Sequence, residues 1–284
     1  MSIVVNTNVT ALKVQQNLNR ANSAITRTTE RLTTGYRINH AADDAAGLSI
    51  SQSMLSQVNG ITVAQDNTQH GINLLQTAEG DMSVIQDHLQ SIRQLTIQAS
   101  NGTYSTAEKE MISREVLARF EEITRLANVS KFSDIPLLSS DNNTSLVLQI
   151  GANSGDDNRL DISDALINMT ATALNADFTE EKIKEAFSTS QKASEFINII
   201  DEAIDKVSQC RSRVGAYQNR IDATMESLVI KEQNLSASLS ELRDADIAKE
   251  AAELTKQQIL QQTSAALLSQ ANSNPTIALQ LLQG

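Results

Sequence analysis

The chain has 284 residues, of which 40% are hydrophobic but only 3% aromatic, with no Trp, two Pro and one Cys. Its formal net charge is −11 and its pI about 4.8, which argues against nucleic acid as a partner, because neutralising phosphates takes clustered Lys and Arg. The lone Cys210 excludes an intramolecular disulfide and argues against a thiolate metal site, so a small buried or half-buried side chain is expected there.

With so few aromatic rings, apolar bulk must come from Leu, Ile, Val and Ala, a mix that favours long helices packed along thin seams. No apolar run approaches the ~20 residues of a membrane span, so no membrane insertion is expected. The opening MSIVVNTNVT has neither a charged n-region nor an apolar h-region, and export through a cleaved leader is not expected. Charge is uneven along the chain. Lys13, Arg20, Arg27, Arg31 and Arg37 face only Glu30 within residues 1–40, whereas residues 241–284 carry three basic and five acidic groups. The two ends are complementary in sign, a weak aid to pairing once salt screens it.

The first predicted helix covers about 6–33. Ala11, Val14, Leu18, Ala21, Ile25, Thr28 and Leu32 step by three and four, the spacing of a coiled-coil seam. Gly35 ends it, and RINHAADDAAG forms a connector in which Asp43 and Asp44 suit the N-terminus of the next helix. The second helix, about 44–99, carries Met54, Val58, Ile61, Gln65, Thr68, Ile72 and Leu75, then Ala78, Met82, Ile85, Leu89, Ile92 and Thr96. Its only slip is the step from Leu75 to Ala78, a local change of phase. NGTYS ends that helix, and Ser105 with Glu108 forms a capping box for a third, about 106–129, which buries Ile112, Val116, Phe120, Ile123 and Ala127 and returns antiparallel to the second.

Residues 132–176 change character. Leu146, Val147, Leu148 and Ile150, the turn GANSGDDN, and Leu160, Asp161 and Ile162 predict a β-hairpin within a small exposed excursion. Asp177 with Glu180 is a cap for the fourth helix. There, Ala193, Ile197, Ile200, Ile204, Val207, Arg211, Val214, Gln218, Ile221, Met225, Leu228, Glu232, Leu235, Leu239 and Leu242 step by four and three without a slip. At ~1.5 Å per residue that stripe runs about 74 Å. Its polar members, Arg211, Gln218 and Glu232, suit the setting of register. A fifth helix, about 244–272, has a wide apolar face including Ile247, Ala251, Leu254, Ile259, Ala266 and Leu267; NSNP stops it, and TIALQLL follows as an apolar tail.

The first helix has few large side chains to set against the ~1–2 kcal/mol per residue lost on ordering its backbone. Both ends are also rich in Ala, Ser, Thr, Asn and Gln. They are expected to be mobile in the free subunit and to order against neighbouring copies.

Chemistry is not signalled. His40, His70 and His88 lack the i, i+4 spacing of a helical metal pair. Asp156, Asp157 and Asp161 lack the ligand order of an EF-hand, and no Walker loop, GxSxG or GxGxxG occurs. No cofactor, no metal and no catalytic residue is expected. Triplets such as Asn101-Gly-Thr103 and Asn128-Val-Ser130 read as chance glycosylation matches.

VNTNVTALKVQQNLNRANSAITRTTERLTTGYRINHAADDAAGLSIS resembles the amino-terminal signature of bacterial flagellins, and RDADIAKEAAELTKQQILQQTSAALLSQANSNPTIALQLL their carboxy-terminal signature. LQSIRQLTIQASNGTYS, RLANVSKF, LQIGANSGDDN and CRSRVGAYQNRI are similar to the region between, so the resemblance covers nearly the whole chain. It implies a mainly α fold: a long antiparallel helical, coiled-coil rod with a small β-hairpin region, whose terminal helices form an inner coiled coil in a filament. Residues 1–43 and 241–284 would be the filament-core segments, and 44–240 the rod, with the hairpin region at about 132–176. Leu18, Ile25, Leu32, Ile247, Leu254, Ile259 and Leu267 are the expected polymer-core contacts, and Ile72, Leu75, Leu89, Ile197, Ile204, Val214, Ile221 and Leu228 the rod seam.

The resemblance further implies a homopolymer for swimming motility, secreted through the flagellar type III export apparatus and located in the extracellular filament. Its implied partners are a flagellin export chaperone, the filament cap and the hook-junction proteins. An innate immune receptor of the Toll-like class is implied at Arg93, Leu95 and Glu115, although Ser91 and Gln94 stand where the recognised pattern carries Arg and an acidic residue. The competing readings are a hook–filament junction protein, which shares the two-ended architecture, and a secreted coiled-coil adaptor, which would not need complementary ends.

Overall fold

In the computed structural model, residues 7–139 and 145–283 are described, those from 274 onward by backbone alone. Seven helices dominate: α1 (Val9–Thr34), α2 (Ala45–Ser100), α3 (Thr106–Val129), α4 (Ala171–Leu174), α5 (Glu180–Ala186), α6 (Ser190–Arg243) and α7 (Ile247–Gln283). Between α3 and α4 lie two antiparallel ribbons, β1 (Lys131–Phe132) with β2 (Ile135–Pro136), and β3 (Val147–Gln149) with β4 (Arg159–Asp161). The chain divides into two compact units, Met1–Ser56 with Asn234–Gly284, and Gln57–Gln233.

Helix boundaries follow local chemistry. Asn8 caps α1 by accepting the Ala11 amide at 3.0 Å, and Gly35 closes it with φ of 76°, a left-handed conformation that only a residue without Cβ adopts freely. Asp44 begins α2 by accepting the Gly47 amide on its carboxylate, while Asp43 accepts those of Asn39 and His40. The His40 amide, and then the Asn39 amide and the Arg31 charge, hold the Asp43 carboxyl below its ordinary pKa. Both halves of the Ser105–Glu108 capping box are present at the start of α3.

The second unit holds the hydrophobic core. Leu75, Ala78, Met82, Ile85, Leu89 and Ile92 of α2 are fully buried, so the phase slip at Leu75–Ala78 keeps both residues inside. They meet Val116, Phe120, Ile123 and Ala127 of α3 and the inner face of α6 in one cluster. Helices α2 and α6 run antiparallel, pinned by Arg93 to Asp201, Arg211 to Glu79 and Gln86, and Gln65 to Glu232. Two of the three polar seam positions on α6, Arg211 and Glu232, thus carry register bonds.

The inner stripe of α6 is wider than a two-position seam. Phe196, Ala203 and Cys210 are buried beside Ala193, Ile200, Val207 and Val214, whereas Ile197 and Ile204 are half-buried. The reason is that α6 is enclosed by the 162–187 segment as well as by α2. The stretch expected to be an exposed excursion is largely interior: Leu137, Leu138, Ile162, Ala165, Met169 and Leu174 are buried within 132–176, as is Ile183 beyond it, and most are fully inaccessible. Glu180 opens the separate short helix α5 rather than α6, Thr179 stands at its cap position and Asp177 lies ahead of it; Asp177 pairs with Lys182 and Glu180 with Lys184. The expected hairpin forms, with Leu148 opposite Leu160. It lies against α2 at Gly71, where a Cβ would collide with Leu148 Cδ1.

All five phenylalanines lie in this unit, and four of them gather at one junction. The Phe120 and Phe178 rings lie 4.3 Å apart, and Phe196 receives Phe178 and Phe187 edge-on at 5.8 and 6.0 Å. Aromatic bulk is therefore scarce in the chain but concentrated where α3, α5 and α6 converge.

Candidate assembly surface

The first unit is built on α1 and α7, which run antiparallel. Three side-chain contacts mark their register: Asn8 to the Ala271 carbonyl at 2.8 Å, Gln261 to Asn22 at 2.7 Å, and Arg31 to Glu250 at 3.3 Å. The α1 face turned inward is the expected seam, with Ala21 and Thr28 buried and Ala11, Val14, Leu18, Ile25 and Leu32 half-buried.

Helix α7 behaves differently. Its inward stripe is Leu254, Gln257, Gln261, Ser264, Leu268 and Ala271, composed largely of amides and small residues. Ile247, Ile259, Leu260 and Leu267 point outward and are 45–58% exposed. The wide apolar face of the sequence is thus split, because residues 250, 254, 257, 261 and 268 recur at helical period on the side that α1 covers. Val9 and Leu12 of α1 are exposed in the same way. Among the described residues of this unit, Ile38 is the only large aliphatic side chain that is fully enclosed.

The connectors on either side of the α1–α7 pair are stitched together. The Arg37 amide donates to the Arg243 carbonyl at 2.7 Å and the Ala245 amide to the Gly35 carbonyl at 2.8 Å, closing an antiparallel bridge between Tyr36 and Asp244. The Arg37 guanidinium donates to the Leu242 carbonyl at 2.6 Å, filling one of the acceptors left over at the end of α6. The Arg243 guanidinium stacks over the Tyr36 ring at 4.0 Å. These backbone pairs join segments about two hundred residues apart, and no sequence period announces them.

Helix α7 does not stop at NSNP; it continues through Pro275 to Gln283. Proline has no N–H, so the carbonyl four residues earlier, that of Ala271, loses its helical donor. That carbonyl is the one that accepts the Asn8 side chain. Asn8 therefore caps α1 with one end of its amide and repairs α7 with the other. The side chains of TIALQLL lie outside the described residues. Replacing Asn8 by Ala should remove both bonds at a cost of about 1–2 kcal/mol. Filaments of Asn8→Ala are expected to depolymerise at a lower temperature, with the thermal transition of the 57–233 unit unchanged in scanning calorimetry.

In the second unit Leu75, Leu89, Val214, Ile221 and Leu228 are buried, and Ile72, Ile197 and Ile204 are half-buried. Arg93 grips both oxygens of Asp201, at 2.6 and 3.4 Å, which raises its pKa; Leu95 packs against the core, and Glu115 pairs with Arg119. Cys210 is buried, with the Arg213 guanidinium 3.0 Å from its sulfur. Among the described residues no group of three His, Cys, Asp or Glu could hold a metal, and no helix is long and apolar enough to cross a membrane.

The chain matches the model of the bacterial flagellin N-terminal helical region over residues 5–143 and that of the C-terminal helical region over residues 197–282. It is 37% identical to the flagellar filament core protein flaB2 of Brachyspira hyodysenteriae, with 99% of this chain and 100% of that protein covered. It is 38% identical to a flagellin of Halalkalibacterium halodurans over the same shares. Among solved structures, a protein described as flagellar hook-associated, from Vibrio parahaemolyticus, shares the fold with a TM-score of 0.60 at 14% identity, covering 71% of this chain and all of that one. Paired terminal helices with matching signatures, a helical second unit and full-length similarity to filament proteins converge: the chain belongs to the bacterial flagellin family, structural subunits that self-polymerise into the extracellular flagellar filament.

Proposed function

We propose that residues 1–43 and 241–284 form the filament core and that 44–240 surrounds it, with Leu18, Ile25, Leu32, Ile247, Leu254, Ile259 and Leu267 as contacts of the polymer core. The observation that carries this reading is the first unit's lack of an interior of its own. Its α7 turns amides toward α1 and leaves Ile247, Ile259, Leu260 and Leu267 in water. Burying such side chains is worth ~1.5–3 kcal/mol each, and neighbouring copies are the partners able to cover them repeatedly along a helical lattice. The chain then works as a building block and not as an enzyme.

The test is growth on filament seeds. The full chain should elongate, and a form trimmed of residues 1–35 and 250–284 should not. Amides of 9–34 and 247–273 should exchange rapidly in the free subunit and become protected in the filament. Long fibres from the trimmed form would overturn the assignment.

Export through the flagellar type III apparatus, masking of the carboxy end by an export chaperone, and guidance by the cap and hook-junction proteins belong to the same proposal. They suit a chain whose apolar surface is left uncovered before assembly. Contact with an innate immune receptor through Arg93, Leu95 and Glu115 is proposed as weak, because Ser91 and Gln94 depart from the recognised pattern and Arg93 is committed to Asp201. Reporter-cell responses to purified subunit measure that contact, and pull-down with purified chaperone measures the other.

A further inference from the structure

Two Asn-Gly pairs occur in the described chain, and the structure treats them oppositely. Asn59-Gly60 lies inside α2, and Asn101-Gly102 lies in the connector between α2 and α3. Both asparagines are exposed. Water and base therefore reach both side chains, and the difference between the pairs lies in the backbone.

We infer that Asn101 is a site of spontaneous deamidation and that Asn59 is protected from it. In the reaction the Gly102 amide nitrogen loses its proton to base and attacks Cγ of Asn101. A Cγ–N bond forms, the Cγ–Nδ2 bond breaks, and ammonia leaves. Water then opens the five-membered imide at one carbonyl or the other, yielding an aspartyl or an isoaspartyl residue. The sum is one amide and one water converted to one carboxylic acid and one ammonia, with no change of oxidation state.

The connector provides what this chemistry requires. A glycine after the asparagine offers no side chain to block ring closure, and around Gly102 a Cβ would meet nothing within 4 Å. The Asn101 amide and carbonyl are used in bonds to Gln98 and Tyr104, and its Oδ1 accepts the Thr103 amide at 3.2 Å. That last bond draws electron density from the Cγ carbonyl and holds it against the following backbone. At Gly60 the nitrogen is locked into the helical ladder, and its surroundings close to 3.0 Å at Ala152. Imide formation there would break α2.

The product adds a negative charge just ahead of the Ser105–Glu108 capping box. Its isoaspartyl form also lengthens the main chain inside the turn closed by Tyr104 and Asn101.

The experiment incubates the full-length protein in mildly alkaline buffer and follows conversion at each asparagine by peptide mapping with fragmentation mass spectrometry and isoaspartate detection. Conversion at Asn101 should run many-fold faster than at Asn59 in the native chain, and the two should converge when the chain is unfolded in denaturant. Gly102→Ala, which the open space around Gly102 accommodates, should slow the Asn101 reaction several-fold while leaving the thermal transition in place. Equal native rates at the two sites, or an undiminished rate in Gly102→Ala, would overturn the inference.

Discussion

Leu254→Asp is expected to abolish elongation on filament seeds while leaving most of the helicity intact. Leu254 lies one turn from Glu250 and two turns from Gln261, on the stripe of α7 that bonds to α1, and it is one of the two leucines of that stripe. A carboxylate there must be desolvated without a partner whenever α1 and α7 close. A penalty of about 3 kcal/mol would raise the critical concentration for growth about a hundredfold. Helices α2, α3 and α6 carry their core in the other unit, which does not include Leu254, so far-UV circular dichroism should fall only by the share of the terminal helices. Leu254→Met, close in volume, should still polymerise. Filament yield equal to the parent chain from Leu254→Asp would remove the role given to the α1–α7 pair.

Phe120→Ala should destabilise the 57–233 unit by about 3–5 kcal/mol. Phe120 is 2% exposed and lies against Phe178, which in turn meets Phe196. Truncation leaves a cavity against the Phe178 ring, and an aromatic pair contributes ~0.5–1.5 kcal/mol beyond its buried area. Chemical denaturation of the full chain, followed by circular dichroism, reads the effect as an earlier midpoint. Phe120→Leu should recover part of it. A midpoint unchanged by Phe120→Ala would mean that the long seams, and not this junction, set the stability of the unit.

These two residues show how differently information is laid out along the chain. Phe120 was visible as a buried position of α3 from its spacing to Val116 and Ile123. Its partners were not, because Phe178 and Phe187 lie in irregular segments where no period exists, and Phe196 sits one step off the two-position seam of α6. Leu254 was visible as apolar, but its side of the helix was not. A greasy face on α7 broad enough to read in sequence could be divided into a covered and an exposed side only once α1 was in place.

Sequence alone determined the long helices, their caps at Ser105 and Gly35, the α1 seam and the presence of the hairpin, since each rests on short-range spacing or local backbone chemistry that travels with the residues themselves, and its terminal signatures carried the resemblance to the family. The tertiary structure alone decided that 162–187 is interior, that Arg37 and Tyr36 stitch to Leu242–Ala245, and that α7 passes through Pro275. In that last case a local rule predicted a stop. The carbonyl that Pro275 deprives of its helical donor is met instead by Asn8, from the opposite end of the chain.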